Sequence, residues 1–172
     1  RKKTMNDNVA INNFIMSLTY IAKKIARTGY GNIDIIIETA SGQSGEICYD
    51  LNELSNLWGK LMNIDHLKDH LKICIDTCHV YSAGYHIDKS LIDLIDSKIG
   101  FRFVALIHLN NSKTDFGSKK DVHQSLKMGT IDYKKLIDFT IYAANLSIPI
   151  ILETPNKSYK IELPNILQMI SL

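Results

Sequence analysis

Leu71-Lys72-Ile73-Cys74-Ile75-Asp76-Thr77-Cys78-His79 is the stretch that decides the fold. Leu71 to Ile75 is a short, nearly continuous apolar run, the signature of a strand covered on both faces. It stops abruptly at side chains that bind cations. In parallel α/β proteins the carboxyl ends of the strands are where sites are built. The same pattern recurs on either side. Ile33-Asp34-Ile35-Ile36-Ile37 runs into Glu38, Phe103-Val104-Ala105-Leu106-Ile107 into His108, and Pro149-Ile150-Ile151-Leu152 into Glu153. Segments of helical spacing separate these runs: Leu51, Leu54, Leu57, Trp58 and Leu61; then Leu91, Ile92, Leu94 and Ile95 behind Asp88 as N-cap; then Leu136, Ile137, Ile141 and Tyr142 behind Asp132. A helix over 7–28, carrying Ile11, Phe14, Ile15, Leu18, Ile21, Ala22 and Ile25 and stopped by Gly29, precedes the first strand. Another, from about Ile161 to Ile170, closes the chain.

Apolar strands alternating with single helices imply a parallel sheet joined by right-handed crossovers. Two architectures satisfy that pattern, an open doubly wound sheet and a (β/α)8 barrel. A full barrel needs roughly 250 residues, so 172 residues and four strands favour the open sheet within a single domain over 1–172. With 45% hydrophobic and 22% charged residues, collagen-like, low-complexity and disulfide-dense classes are excluded. No apolar run is long enough to span a membrane, and Arg1-Lys2-Lys3 is not followed by the apolar segment of a secretory signal. The net charge of +2 is compatible with nucleic acid without arguing for it. Cys48, Cys74 and Cys78 are odd in number, and the last two are spaced C-x3-C rather than C-x2-C. They are read as buried apolar-like residues of a reducing, intracellular compartment, cytoplasm or nucleus.

Glu38, Asp76, His108 and Glu153 end the four strands, and His79, Asp121 and His123 lie just beyond them. Mixed imidazole and carboxylate donors suit zinc or manganese. Singly, each residue reads as a helix cap, a loop hydrogen-bonder or a core histidine. Together they read as a metal site, because burying several carboxylates without a cation is very costly. His66, His70 and His86 have no such placement and read as surface or loop residues. Trp58 and most of the five Met are expected in the core. The Lys113–Lys120 segment is either a solvated loop or a phosphate-contacting one.

Four blocks resemble the endonuclease IV class of apurinic/apyrimidinic (AP) endonucleases, within the xylose-isomerase-like barrels. Glu38-Thr39-Ala40-Ser41-Gly42-Gln43 is similar to the family's E-[NT]-x-[AS]-G-Q. Cys74-Ile75-Asp76-Thr77-Cys78-His79, through Ala83-Gly84-Tyr85, is similar to C-[IVL]-D-T-C-H…A-G-Y. His108-Leu109-Asn110-Asn111-Ser112-Lys113, Gly117-Ser118 and Asp121-Val122-His123 resemble H-[LVI]-N-D-[SA]-K…G-S…D-R-H. Pro149-Ile150-Ile151-Leu152-Glu153-Thr154-Pro155 resembles P-[LI]-I-L-E-T-P.

The resemblance implies a (β/α)8 barrel holding three zinc ions, with manganese as an alternative. It implies cleavage of double-stranded DNA on the 5′ side of abasic sites in base excision repair. Carried over, Glu38 bridges two metals, Asp76, His108 and Glu153 complete the second, and His79, Asp121 and His123 hold the third. Glu153, with Glu38, is the catalytic candidate, orienting the nucleophile. Such clustered zinc lowers the pKa of a bridging water towards neutrality and stabilises the leaving oxygen.

Three departures stand out. Val122 replaces the arginine of D-R-H, Asn111 replaces the Asp of H-L-N-D, and Lys127 and Asp132 replace two glycines of the following turn, where Gly129 and Ile131 remain. The family's first four βα units, with two histidines for the first zinc, precede the blocks matched here, and residues 1–37 contain no histidine. The chain is therefore read as the last four βα units, a half-barrel. It is then either completed by an N-terminal half or another chain, or settled as an open α/β layer. A single-metal sugar isomerase or epimerase on the same barrel, and a non-catalytic relative, are the alternatives.

Overall fold

The computed structural model describes residues 7–29, 33–155 and 157–170. Its centre is two strands, β2 (Leu71–Asp76) and β3 (Val104–Leu109), flanked by β1 (Ile35–Glu38) and β6 (Ile150–Leu152). The order is β1-β2-β3-β6 and every pairing is parallel. Residues Leu71, Ile73, Ile75, Ile107 and Leu109 are almost wholly buried. They share one apolar cluster with Leu54, Leu57, Trp58 and Leu61 of α2 (Leu51–Met62), Leu91 and Ile95 of α4 (Lys89–Lys98), and Leu136, Phe139 and Ala143 of α5 (Tyr133–Asn145). The longest helix, α1 (Asp7–Thr28), buries only Leu18 and Ala22, and α6 (Tyr159–Ile170) only Ile166.

The helices start where their caps dictate. Asp50 accepts the N–H groups of Asn52 and Glu53, Asp88 that of Ser90, and Asp132 that of Lys135, so each satisfies donors a first helical turn leaves unpaired. Strand side chains alternate between faces. Register sets Asp76 beside His108 and Ile151 beside His108 on its other flank, so Glu38, Asp76, His108 and Ile151 share the face opposite the helix-packed residues. Ile36 and Ile151, on that face of the edge strands, are 42% and 48% exposed.

The parallel α/β architecture and its four strands match expectation, with shifts of a residue or two at their ends. Residues 101–103 form a 3-10 turn before β3. A seven-residue helix, α3 (Thr77–Ala83), and a two-stranded antiparallel hairpin of β4 (Asn111–Ser112) with β5 (His123–Gln124) were not anticipated. Gly84, at φ 105°, ends α3 in the left-handed conformation that glycine tolerates. Gly129 packs so closely on Asn111 and Ser112 that a Cβ there would stand 2.6 Å from the Ser112 carbonyl, which gives a steric reason for a glycine in that turn.

The three cysteines are free and buried, and Trp58 is in the core. His66 and His86 are exposed and His70 is half-buried in the turn before β2. The expectation for Met is corrected. Met16 is 69% and Met128 75% exposed, because Met16 falls off the stripe of Ile11, Ile15, Leu18 and Ala22, and Met128 lies in a loop. Arg1–Lys3 and Met5 lie outside the described residues. Among those described, no helix is long and apolar enough to cross a membrane.

Candidate metal centre

Backbone pairing aims the donors. Glu38 ends β1, and the next residue, Thr39, donates its N–H to the Cys74 carbonyl at 3.0 Å while its hydroxyl accepts the Asp76 N–H at 3.1 Å. Asp76 ends β2 and caps α3, accepting the His79 N–H at 2.8 Å, so the same carboxylate starts the helix that delivers His79. His108 stands in β3 opposite Asp76. Glu153 follows β6, its N–H bonded to the Leu109 carbonyl at 3.1 Å. The hairpin pairs His123 with Ser112 and so carries Asp121 and His123 back over the strand ends.

All seven sequence-predicted residues gather at one mouth. Donor atoms of Glu38, Asp76, His108 and Glu153 lie within 4.8 Å of one another, and so do those of Asp76, His79 and His123. His108 Nδ1 is 3.0 Å from Glu38 and 3.5 Å from Glu153. Asp121 receives both remaining imidazoles, His79 Nε2 at 3.1 Å and His123 Nε2 at 3.0 Å.

The tautomers follow from their partners. His79 Nδ1 is 2.8 Å from the Thr39 carbonyl, and His123 Nδ1 is 3.0 Å from the Glu153 carbonyl. A carbonyl can only accept, so both Nδ1 atoms donate and each Nε2 is left with its lone pair towards Asp121. This is the arrangement by which an outer partner readies an imidazole for a cation. His79 Nε2 is also buried and makes no hydrogen bond, despite its approach to Asp121.

Burial grades outward. The side chain of Asp76 is fully buried, His79 is 15% exposed, and Glu38 is 40% exposed. Burial pushes the Asp76 carboxyl above its ordinary range, against the pull of His79, its backbone N–H, the Asn110 amide and His123. For His79, burial presses the pKa down, but Asp76, the Thr39 carbonyl, Asp121 and Glu38 together outweigh it and the pKa is raised. Carboxylates crowded in this way are the surroundings that a divalent cation stabilises. The donor chemistry, the lone pairs left at Nε2 and the unpartnered atom all fit a cation, and the residues present fit zinc chemistry.

Sequence reasoning missed Asn110. It is fully buried, donates to Asp76 Oδ2 at 2.7 Å, accepts the Cys78 N–H at 2.9 Å, and lies against the His123 ring at 3.3 Å. Its signals were its place two residues after His108 and its position as the asparagine of the H-[LVI]-N-D block. Cys78, read as core, is buried as expected, yet its sulfur groups with donors of Asp121 and His123 within 4.8 Å. Burial raises its pKa.

The chain is similar to known proteins in sequence and in fold. The sequence profile of the xylose isomerase-like TIM barrel family matches residues 2–169. The chain is 35% identical over 153 residues to a probable endonuclease 4 of Mycoplasma genitalium, covering 88% of this chain and 50% of that protein. It is 39% identical over 126 residues to that of Mycoplasma mobile, covering 72% and 43%. The crystal structure of endonuclease IV from Thermus thermophilus superposes with a TM-score of 0.66 at 26% identity, covering 79% of this chain and 49% of that one. The chain spans about half the length of these relatives.

Proposed function

The chain belongs to the xylose isomerase-like TIM barrel family, on its endonuclease IV branch, and from that footing we propose that it is the carboxyl-terminal half of a zinc-dependent AP endonuclease. Its reaction is hydrolysis of the DNA backbone 5′ to an abasic site. The observation that carries this reading is the pair of donor sets meeting at Asp76, with both Nδ1 atoms of His79 and His123 tied to carbonyls.

In this reading Glu38, Asp76, His108 and Glu153 would hold one cation and His79, Asp121 and His123 another, and Glu38 would also serve a further ion. When bound, zinc polarises the phosphoryl oxygen and lowers the pKa of water. The chain's own residues do the rest. Glu153, 36% exposed and anchored through its backbone to Leu109, faces the mouth and accepts a proton from the attacking water. The Thr39 and Glu153 carbonyls hold the imidazoles in one tautomer. An opposing half-barrel, from a preceding segment or another chain, completes the mouth; four strands alone bind fewer than three zincs and cleave weakly.

Zinc content and cleavage of an abasic duplex, measured on the same preparation, test this. The expected result is more than one zinc per chain and cleavage abolished by a chelator. Glu153→Gln loses about 10²-fold or more of the rate while keeping DNA binding. A single ion per chain, with turnover of a sugar instead of DNA, would replace this reading by the isomerase one.

A further inference from the structure

Lys119 lies two residues before the candidate ligand Asp121 and belongs to none of the donor sets. Its backbone is held at φ 55°, outside the range lysine prefers, by a bond from its N–H to the Ser82 carbonyl at 3.0 Å. The next carbonyl, that of Lys120, accepts the hydroxyl of the fully buried Ser82 at 2.8 Å. Its ammonium donates to the Tyr49 hydroxyl at 2.9 Å and stands 4.6 Å from the centre of that ring. Tyr49 in turn lies flush on Gly42, where a Cβ would stand 3.0 Å from the ring and 3.2 Å from Lys119 Cγ. Gly42 follows Glu38 in the loop after β1, and Lys119 precedes Asp121 in the loop after β4. The contact therefore joins the loop that follows Glu38 to the loop that carries Asp121.

Four lysines direct their charge at carboxylates: Lys68 at Asp65, 3.1 Å away, Lys89 at Asp93, 2.6 Å, Lys134 at Asp138, 2.8 Å, and Lys135 at Asp88, 2.9 Å, while Lys24 and Lys127, like Lys119, stand over tyrosine rings. Lys119 has a neutral phenol instead and no ion pair among the described residues. It is a preorganised, uncompensated charge beside a mouth lined by four carboxylates, which would otherwise repel a polyanion.

We infer that Lys119 binds a phosphate of the DNA backbone at this mouth, with Tyr49 as its positioning residue. The inference rests on the nuclease reading above and names the contact that reading lacks. Val122 stands where the resembled family has an arginine, so a cation three residues earlier takes on added weight.

The test is fluorescence anisotropy of the zinc-loaded full chain with a duplex carrying a tetrahydrofuran abasic analogue and with an intact duplex, across a salt series. Lys119→Ala is expected to weaken binding several-fold and to reduce the slope of log K against log salt by about one, at unchanged zinc content. Lys119→Arg keeps the slope. Tyr49→Phe keeps it too but weakens affinity, since the ring stays on Gly42 while the hydroxyl is lost. Lys68→Ala, in the turn before β2 at the opposite end of the strands, changes neither. A wild-type slope in Lys119→Ala overturns the inference and leaves the nuclease reading standing. Equal affinity of wild type for both duplexes overturns that reading, while the slope still reports on Lys119. No DNA binding by wild type overturns both.

Discussion

The two inner strands and the two outer ones are built to different standards. In β2 and β3, Ile73, Ile75, Ile107 and Leu109 are at most 1% exposed, and of the two ligands on these strands Asp76 is fully buried and His108 is 16% exposed. The edge strands β1 and β6 are four and three residues long and leave Ile36 and Ile151 largely exposed. Their ligands follow suit: Glu38 and Glu153 are the most exposed of the seven donors, at 40% and 36%. The helices beyond them, α1 and α6, also carry exposed apolar residues, among them Met16, Tyr20, Ile161 and Leu167. Donors on the inner strands are held by the chain's own core. Donors on the edges stand where a neighbouring strand would lie in a closed barrel. Free strand edges and apolar patches of this kind are normally covered.

The largest expected effect tests the packing side of this contrast. Ile107→Ala should cost about 2–5 kcal/mol in urea unfolding, whereas Ile151→Ala, on the exposed face of β6, should cost under about 1 kcal/mol. Equal losses would mean that the edge is as well covered as the centre.

A second comparison concerns ligand support. Asn110→Ala removes the amide that bonds Asp76 and the Cys78 N–H, and it should lower zinc affinity about 10–100-fold in competition with a chromophoric chelator. Glu162 plays the matching part near the edge, accepting the Leu126 N–H and the Thr154 hydroxyl, each at 2.6 Å. Glu162→Gln should cost less than about tenfold, because a half-exposed group has water as a substitute. A larger loss there than at Asn110 would reverse the ranking of inner and outer supports.

The smallest effect lies in the helical cover. Asp88 caps α4 and pairs with Lys135 of α5. The Ser90 hydroxyl foremost, then Lys135, hold its pKa down at about 2. A carboxylate whose pKa is depressed by folding contributes stability above its unfolded value, about 3.9, and loses it as the pH falls through the folded one. Asp88→Ala should therefore cost about 1 kcal/mol at neutral pH. That difference should shrink below about pH 4 and vanish only below about pH 2, as followed by thermal unfolding. A difference constant down to pH 2 would assign the effect to lost packing instead of the charged cap.

Much of this was legible in the residues. Short apolar runs ending in Glu, Asp or His, and Asp residues placed one step before helical stripes, are local patterns, and strands and caps follow from them directly. α3 escaped because seven residues hardly establish a helical period, and the β4–β5 hairpin because two-residue strands have no alternation to read. Asn110 escaped for a different reason. A buried amide is recognised by what surrounds it, and its partners, Asp76, Cys78 and His123, come from three other elements.

The sequence by itself determined four parallel βα units and the kinds of donor at their ends, since apolar period and residue chemistry are properties of short segments. Only the tertiary structure decided that Asp76 is shared between two donor sets, that carbonyls of Thr39 and Glu153 set the tautomers of His79 and His123, and that Lys119 rests on a phenol with no ion pair among the described residues. Those outcomes depend on strand register and loop closure, which bring together residues far apart along the chain to within the few ångströms over which a hydrogen bond or a coordinating lone pair acts.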